Sequence, residues 1–179
     1  MARRTRHAIS RRAALASLGA GAGAAAILPL LSDEGLYAYA QVQKSNAPPA
    51  LRALTRAQYA AVDALTEAII PADDRSPGAR AARVADFIDL YLHEAEAGTR
   101  AEWLEGLAAL EAEAKARQGA GLAQLKPEQM EALLTEVSRN ERDPKTPAER
   151  FFRAVKNATI QGYYTSEIGI HKELQYKGN

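Results

Sequence analysis

The 179-residue chain contains no cysteine. That excludes a disulfide framework, a Cys-x-x-Cys-His haem attachment and a thiolate-held iron–sulfur cluster. If the chain works in electron transfer, centres of those kinds are expected to sit elsewhere. Histidine is scarce as well: of the 3 present, only His93 and His171 follow the first forty residues. They do not form the His-x-x-x-His spacing that zinc chemistry uses, so satisfied or exposed imidazoles are expected. No serine sits in a Gly-x-Ser-x-Gly elbow. An excess of one charge is also missing. Residues 1–40 hold five arginines against two acids, which leaves 18 basic and 20 acidic residues for the rest. With no basic stripe behind the N-terminus, nucleic-acid binding is not expected.

What is present begins with a leader. Met1 to Ser10 is short and basic, carrying Arg3, Arg4, Arg6 and His7. Ser10-Arg11-Arg12 follows, then an Ala/Gly-rich apolar run from Ala13 to Leu31, then the small-x-small triplet Ala38-Tyr39-Ala40. Basic, apolar and cleavage segments in that order define a secretory leader, and the paired arginines point to the twin-arginine route. Ser10, Arg11, Arg12 and Leu15 match the Ser-Arg-Arg-x-Phe-Leu-Lys pattern of that route, while Ala14 and Ala16 depart from it. The signal is assigned to 1–40, with cleavage at Ala38 and Ala40. An ordinary signal peptide and an uncleaved anchor are the alternatives, the run being long enough to reach across a bilayer. Gly19, Gly21 and Gly23 do not make a dinucleotide fingerprint, because no strand precedes them and Ala24 occupies the last position.

Residues 41–50, with Pro48 and Pro49, have a linker composition. The domain assigned to 51–179 is rich in helix signals. Thr55 and Gln58 form a capping box with Leu54 and Tyr59 as its staple, and Val62, Leu65 and Ile69 continue the stripe before Pro71 stops it. Ser76 with Pro77 is a candidate start for a second helix, whose stripe is Val84, Phe87, Ile88, Tyr91 and Leu92. Gly98 ends it, and Thr99 with Glu102 caps a third helix. Trp103, Leu107 and Leu110 line that helix, and Gly119 is its C-cap. Pro127 opens a fourth with Met130, Leu133, Leu134 and Val137 inward. Thr146-Pro147-Ala148-Glu149 is the sharpest start in the chain, leading into Phe151, Phe152, Val155, Thr159 and Tyr163. No segment alternates with period two. The expectation is all-α: an irregular bundle of about five helices preceded by a signal peptide.

The search for chemistry returns little. Asp73 and Asp74 lack the further oxygens a calcium loop needs, so Asx-turn capping in a solvated loop is expected. Glu102, Glu105, Glu111 and Glu113 are a solvated face. The C-terminal part is less ordinary. Phe151-Phe152 and the run Gly162-Tyr163-Tyr164-Thr165-Ser166-Glu167-Ile168-Gly169 gather aromatics and glycines. Either they finish the core, or they form an interface in which tyrosine supplies contact area with a polar tip.

Three stretches taken together resemble a known family. They are Ile69 to Asp74 with Ser76 to Ala79, Phe87 to Tyr91, and Phe151-Phe152 through Gly162–Gly169 to Glu173–Asn179. In order and spacing, over about residues 50–179, they are similar to the gluconate 2-dehydrogenase subunit 3 family, the small subunits of membrane-associated sugar and sugar-acid dehydrogenases. Ala95 to Arg142 carries little of that signature. The resemblance implies a non-catalytic small subunit with no cofactor of its own. Its large partner would be an FAD-dependent dehydrogenase of the glucose–methanol–choline type, and a cytochrome c subunit would carry electrons onward through haem c. It further implies that the large subunit travels bound to the small one through the twin-arginine translocon. The complex would be periplasmic, held peripherally at the inner membrane. Interface candidates transferred on this basis are Pro71, Asp73, Asp74, Gly78, Phe151, Phe152, Tyr163, Tyr164, Ser166, Glu167, Gly169 and Tyr176. The competing expectations are a membrane-tethered periplasmic binding module unrelated to redox, and a stand-alone periplasmic enzyme using Asp73, Asp74 and His93.

Overall fold

The structure is a computed structural model that describes residues 30–45, 47–74 and 76–170. Six α-helices run in order: α1 Asp33–Lys44, α2 Arg56–Ile69, α3 Val84–Glu94, α4 Ala97–Gln118, α5 Pro127–Ser138 and α6 Pro147–Tyr164. A single 3₁₀ turn, Leu122–Gln124, links α4 to α5. No strand occurs among the described residues, so the chain is all-α as its periodicity requires. The helix beyond the expected five is α1. Ala38 and Ala40 lie within it, and residues 41–44, expected as linker, are its last turn.

Helix starts follow the local chemistry in most places. At α2, Thr55 Oγ1 accepts from the Gln58 amide while Gln58 Oε1 accepts from the Thr55 amide. At α6, Thr146 and Glu149 form the same reciprocal pair, with Pro147 in the first turn where its missing N–H costs nothing. Each cap stabilises its helix by about 1 kcal/mol. Gly119 closes α4 at φ 75°, in the left-handed region that favours glycine.

Two expected starts are displaced. Ser76 and Pro77 do not open α3, because both are engaged elsewhere: the Ser76 hydroxyl and the Pro77 carbonyl bond the phenol of Tyr163. Turns fill the chain to Arg83, and α3 begins at Val84. Nor does Thr99 cap α4. The break falls earlier, where Ala95 and Glu96 leave helical angles (ψ 148° and 150°), so Gly98 and Thr99 are already inside the first turn.

Helix α6 is the central element, packing on α2, α3, α4 and α5. Its buried stripe, with Phe151, Phe152, Val155, Thr159 and Tyr163, meets Val62 and Leu65 of α2, Phe87, Ile88 and Leu92 of α3, and Leu110 of α4 in one core. Trp103 and Phe151 pack edge to face, with centroids 4.8 Å apart. Asp89 is buried at 3% exposure and accepts the backbone N–H groups of Arg52, Ala53 and Leu54 at 2.8–3.0 Å, which fixes the approach to α2. Arg83 adopts φ 55°, unusual for a residue with a side chain. Its guanidinium grips the Asp86 carboxylate with two bonds of 3.0 Å and also donates to the carbonyls of Val42, Ser45 and Ala47. The carboxylate holds the guanidinium charged above its already high ordinary range. Among the described residues, no helix is long and apolar enough to cross a membrane.

Candidate partner interface

The structure brings the two stretches singled out by the sequence together at one end of the bundle. The loop after α2 is folded on itself. Asp73 Oδ1 accepts the Ser76 amide at 2.9 Å, and the Asp73 amide donates to the Ser76 carbonyl at 3.0 Å, so the side chain caps the loop three residues on rather than two as in the Asx turn expected there. Glu67 ties both ends of the loop, accepting the amides of Ala72 and Arg80 at 3.2 and 2.8 Å. Gly78 is required by space: a Cβ there would fall 2.6 Å from the Ala72 amide nitrogen and against the Glu67 carboxylate. Tyr163 rises from α6 into this loop. Its phenol donates to the Pro77 carbonyl at 2.7 Å and lies 2.6 Å from the Ser76 hydroxyl.

The expected residues divide by depth. Phe151, Phe152, Tyr163, Ser166, Gly169 and Gly78 are interior. Ser166 caps the end of α6, donating to the Tyr163 carbonyl and accepting from Gly169. Pro71, Asp73, Asp74 and Glu167 are exposed and Tyr164 is half-buried, so these five form the surface at this end. Tyr163, Ser166, Gly169 and Gly78 therefore set the shape of the loop and the end of α6, Phe151 and Phe152 lie near its start, and the exposed set is what this end presents at the surface. Ser10, Arg11, Arg12, Leu15 and Tyr176 lie outside the described residues, as does His171. His93 is exposed at the end of α3.

A second feature was not anticipated. Between α3, α4 and α6 lies a groove of about 490 Å³ walled by Tyr91, Trp103 and Phe151 and edged by Glu102, Glu105 and Arg150. Burial pushes the Tyr91 phenol up from its ordinary value. The Trp103 Nε1–H is buried and makes no hydrogen bond, alone among the described side chains. The helical spacing of Trp103, Leu107 and Leu110 marks Trp103 as core, which it is, and gives no sign of the groove beside it. Gly106 permits the close contact of α4 with α6, since a Cβ would meet Phe151 Cβ at 2.6 Å. No group of three or more His, Cys, Asp or Glu side chains suited to a metal ion occurs among the described residues.

Neither a curated protein nor a solved structure matches the chain. A family model described as gluconate 2-dehydrogenase subunit 3 does match, over residues 56–179. That span runs from the first residue of α2 through the loop at 71–79, the groove and the end of α6, and is well over half of the sequence. By this match, the chain belongs to the gluconate 2-dehydrogenase subunit 3 family.

Proposed function

We propose that this chain is the non-catalytic small subunit of an FAD-dependent sugar or sugar-acid dehydrogenase, and that it carries the large subunit through the twin-arginine translocon and then stabilises it. The observation that carries this reading is the family match across the helical domain, since the family is named for one subunit of a dehydrogenase among several. The leader adds the export half. A domain of this size with no cysteine has no folding need for a route that moves folded proteins. The route makes sense for a partner that must bind its flavin before it crosses. Flavin chemistry then belongs to the large subunit, and haem c to a cytochrome subunit where one is used. The complex is peripheral to the periplasmic face of the inner membrane.

The surface made by Pro71, Asp73, Asp74, Tyr164 and Glu167 is the contact we assign to the large subunit. The loop part of it is held by the Tyr163 and Glu67 bonds, so little conformational freedom there remains to be lost on binding. The test of the escort role is to co-express the large subunit with the chain carrying Arg11→Lys and Arg12→Lys. Dehydrogenase activity should stay in the cytoplasm. Normal activity outside the cytoplasmic membrane would rule the escort role out.

A further inference from the structure

The small-x-small triplet that marks a cleavage site in the sequence lies inside a docked helix. Tyr39, its middle residue, is 1% exposed and sets its ring edge against Phe87 at 5.2 Å. Its hydroxyl lies 2.6 Å from the Ala82 carbonyl and 3.0 Å from that of Gly162, and shares its proton between them. The segment around it is fastened along its length. The Leu30 amide donates to Gln161 Oε1, the Ser32 amide and hydroxyl donate to the Glu94 carboxylate, and Leu31 is buried at 3% exposure. Beyond Tyr39, Arg83 binds the carbonyls of Val42, Ser45 and Ala47, and Gln43 accepts the Glu167 amide. Ser32 also caps α1 itself by accepting the Gly35 amide.

A peptidase needs several residues on each side of the cut in extended form, free of other backbone bonds. Here those residues are helical, and the one between the two small positions is sealed in the core. A cut after Ala40 would take away the Tyr39 ring and the first two turns of α1. It would leave the Phe87 edge and the Ala82 carbonyl without them. On a route that moves folded chains, the peptidase meets the site already in this form. We infer that Ala38-Tyr39-Ala40 is not the processing site of this protein. Residues from Leu30 onward remain part of the mature subunit, and a leader that is removed at all is cut N-terminal to Leu30. This rests on the export reading for its cellular setting but not for its geometry.

The test is to isolate the full chain with its partner from the envelope and determine its N-terminus by intact mass and N-terminal sequencing. An N-terminus at or before residue 30, the uncut chain included, is expected. An N-terminus at Gln41 would overturn the assignment. Ala40→Gln keeps a good helix former while removing a small residue, and should leave the wild-type N-terminus unchanged. Accumulation of a longer form in that variant would count against the proposal. If no chain reaches the envelope, the export reading fails and the geometry is tested alone. Purified full chain is then exposed to detergent-solubilised leader peptidase, with urea-unfolded chain alongside. Cutting after Ala40 should be slower in the folded chain by a factor of about 100 or more, or absent from both. Equal measurable rates would overturn the proposal.

Discussion

Helices α1 and α6 meet at Gly162, and they are held in place by different means. Helix α6 buries ten residues along one stripe, starts at a capping box with proline in its first turn, and contributes three of the ring systems of the core. Helix α1 buries only Gly35 and Tyr39, with Leu36 and Ala38 partly buried against the core, and it and the residues just before it are further held by hydrogen bonds to two carbonyls, an amide and three side chains of its neighbours. Apolar burial fixes α6 to the whole bundle. Directional bonds, one buried ring and the partial burial of Leu36 and Ala38 fix α1 to a particular place on it. The first kind of attachment fails only when the bundle fails, whereas the second can be released locally.

The largest effect that would sharpen this contrast is Phe151→Ala. It removes the ring that packs on Trp103 and beside Gly106, and should cost about 3–5 kcal/mol of global stability. A fall in the urea midpoint with an unchanged slope is the expected reading. Tyr39→Ala comes next. Its cost is capped by the free energy that docks α1, so hydrogen exchange should quicken over 33–44 while 147–164 stays protected. Equal loss of protection in both would erase the distinction and make α1 a full member of the core. Tyr163→Phe should cost about 1 kcal/mol, the usual worth of a hydroxyl bond. It should loosen residues 71–79 more than it lowers the midpoint, as exchange rates in that loop would report.

The smallest effect concerns pH. Glu149 is held below its ordinary range, first by the Lys145 amide and then by Asn140 and the Thr146 amide. A lowered folded value means that the stabilisation is full above the unfolded glutamate range and disappears as pH falls through the folded value. Thermal melts of wild type and Glu149→Gln should therefore differ slightly at neutral pH and converge in acid. Divergence in acid would contradict that sign.

The same contrast explains what could be read from the sequence. The stripe of α6, the capping boxes at Thr55 and Thr146, and Gly119 were all legible, because burial at helical spacing and caps leave their mark on residue type. The docking of α1 was not. The Tyr39 hydroxyl bonds backbone carbonyls, which look the same under any side chain, other partners of the helix are distant polar side chains, and its one buried aromatic stands in a triplet that resembles a cleavage signal. The start of α3 was misplaced for a related reason: Ser76 and Pro77 have the chemistry of a helix start, but Tyr163, 87 and 86 residues away, takes both. Several of the interface candidates, from the 71–78 loop and the end of α6, come together at one end of the molecule. The sequence could not separate Tyr163 and Ser166, which shape that end from inside, from Tyr164 and Glu167, which face outward.

The central claim is that this small helical chain serves a larger flavoprotein. Affinity isolation of the full chain from the native envelope tests it most directly. The account predicts a co-purifying large subunit with a flavin absorption spectrum and dehydrogenase activity on a sugar or sugar acid. Recovery of the chain with its partners but without any flavoprotein would contradict it.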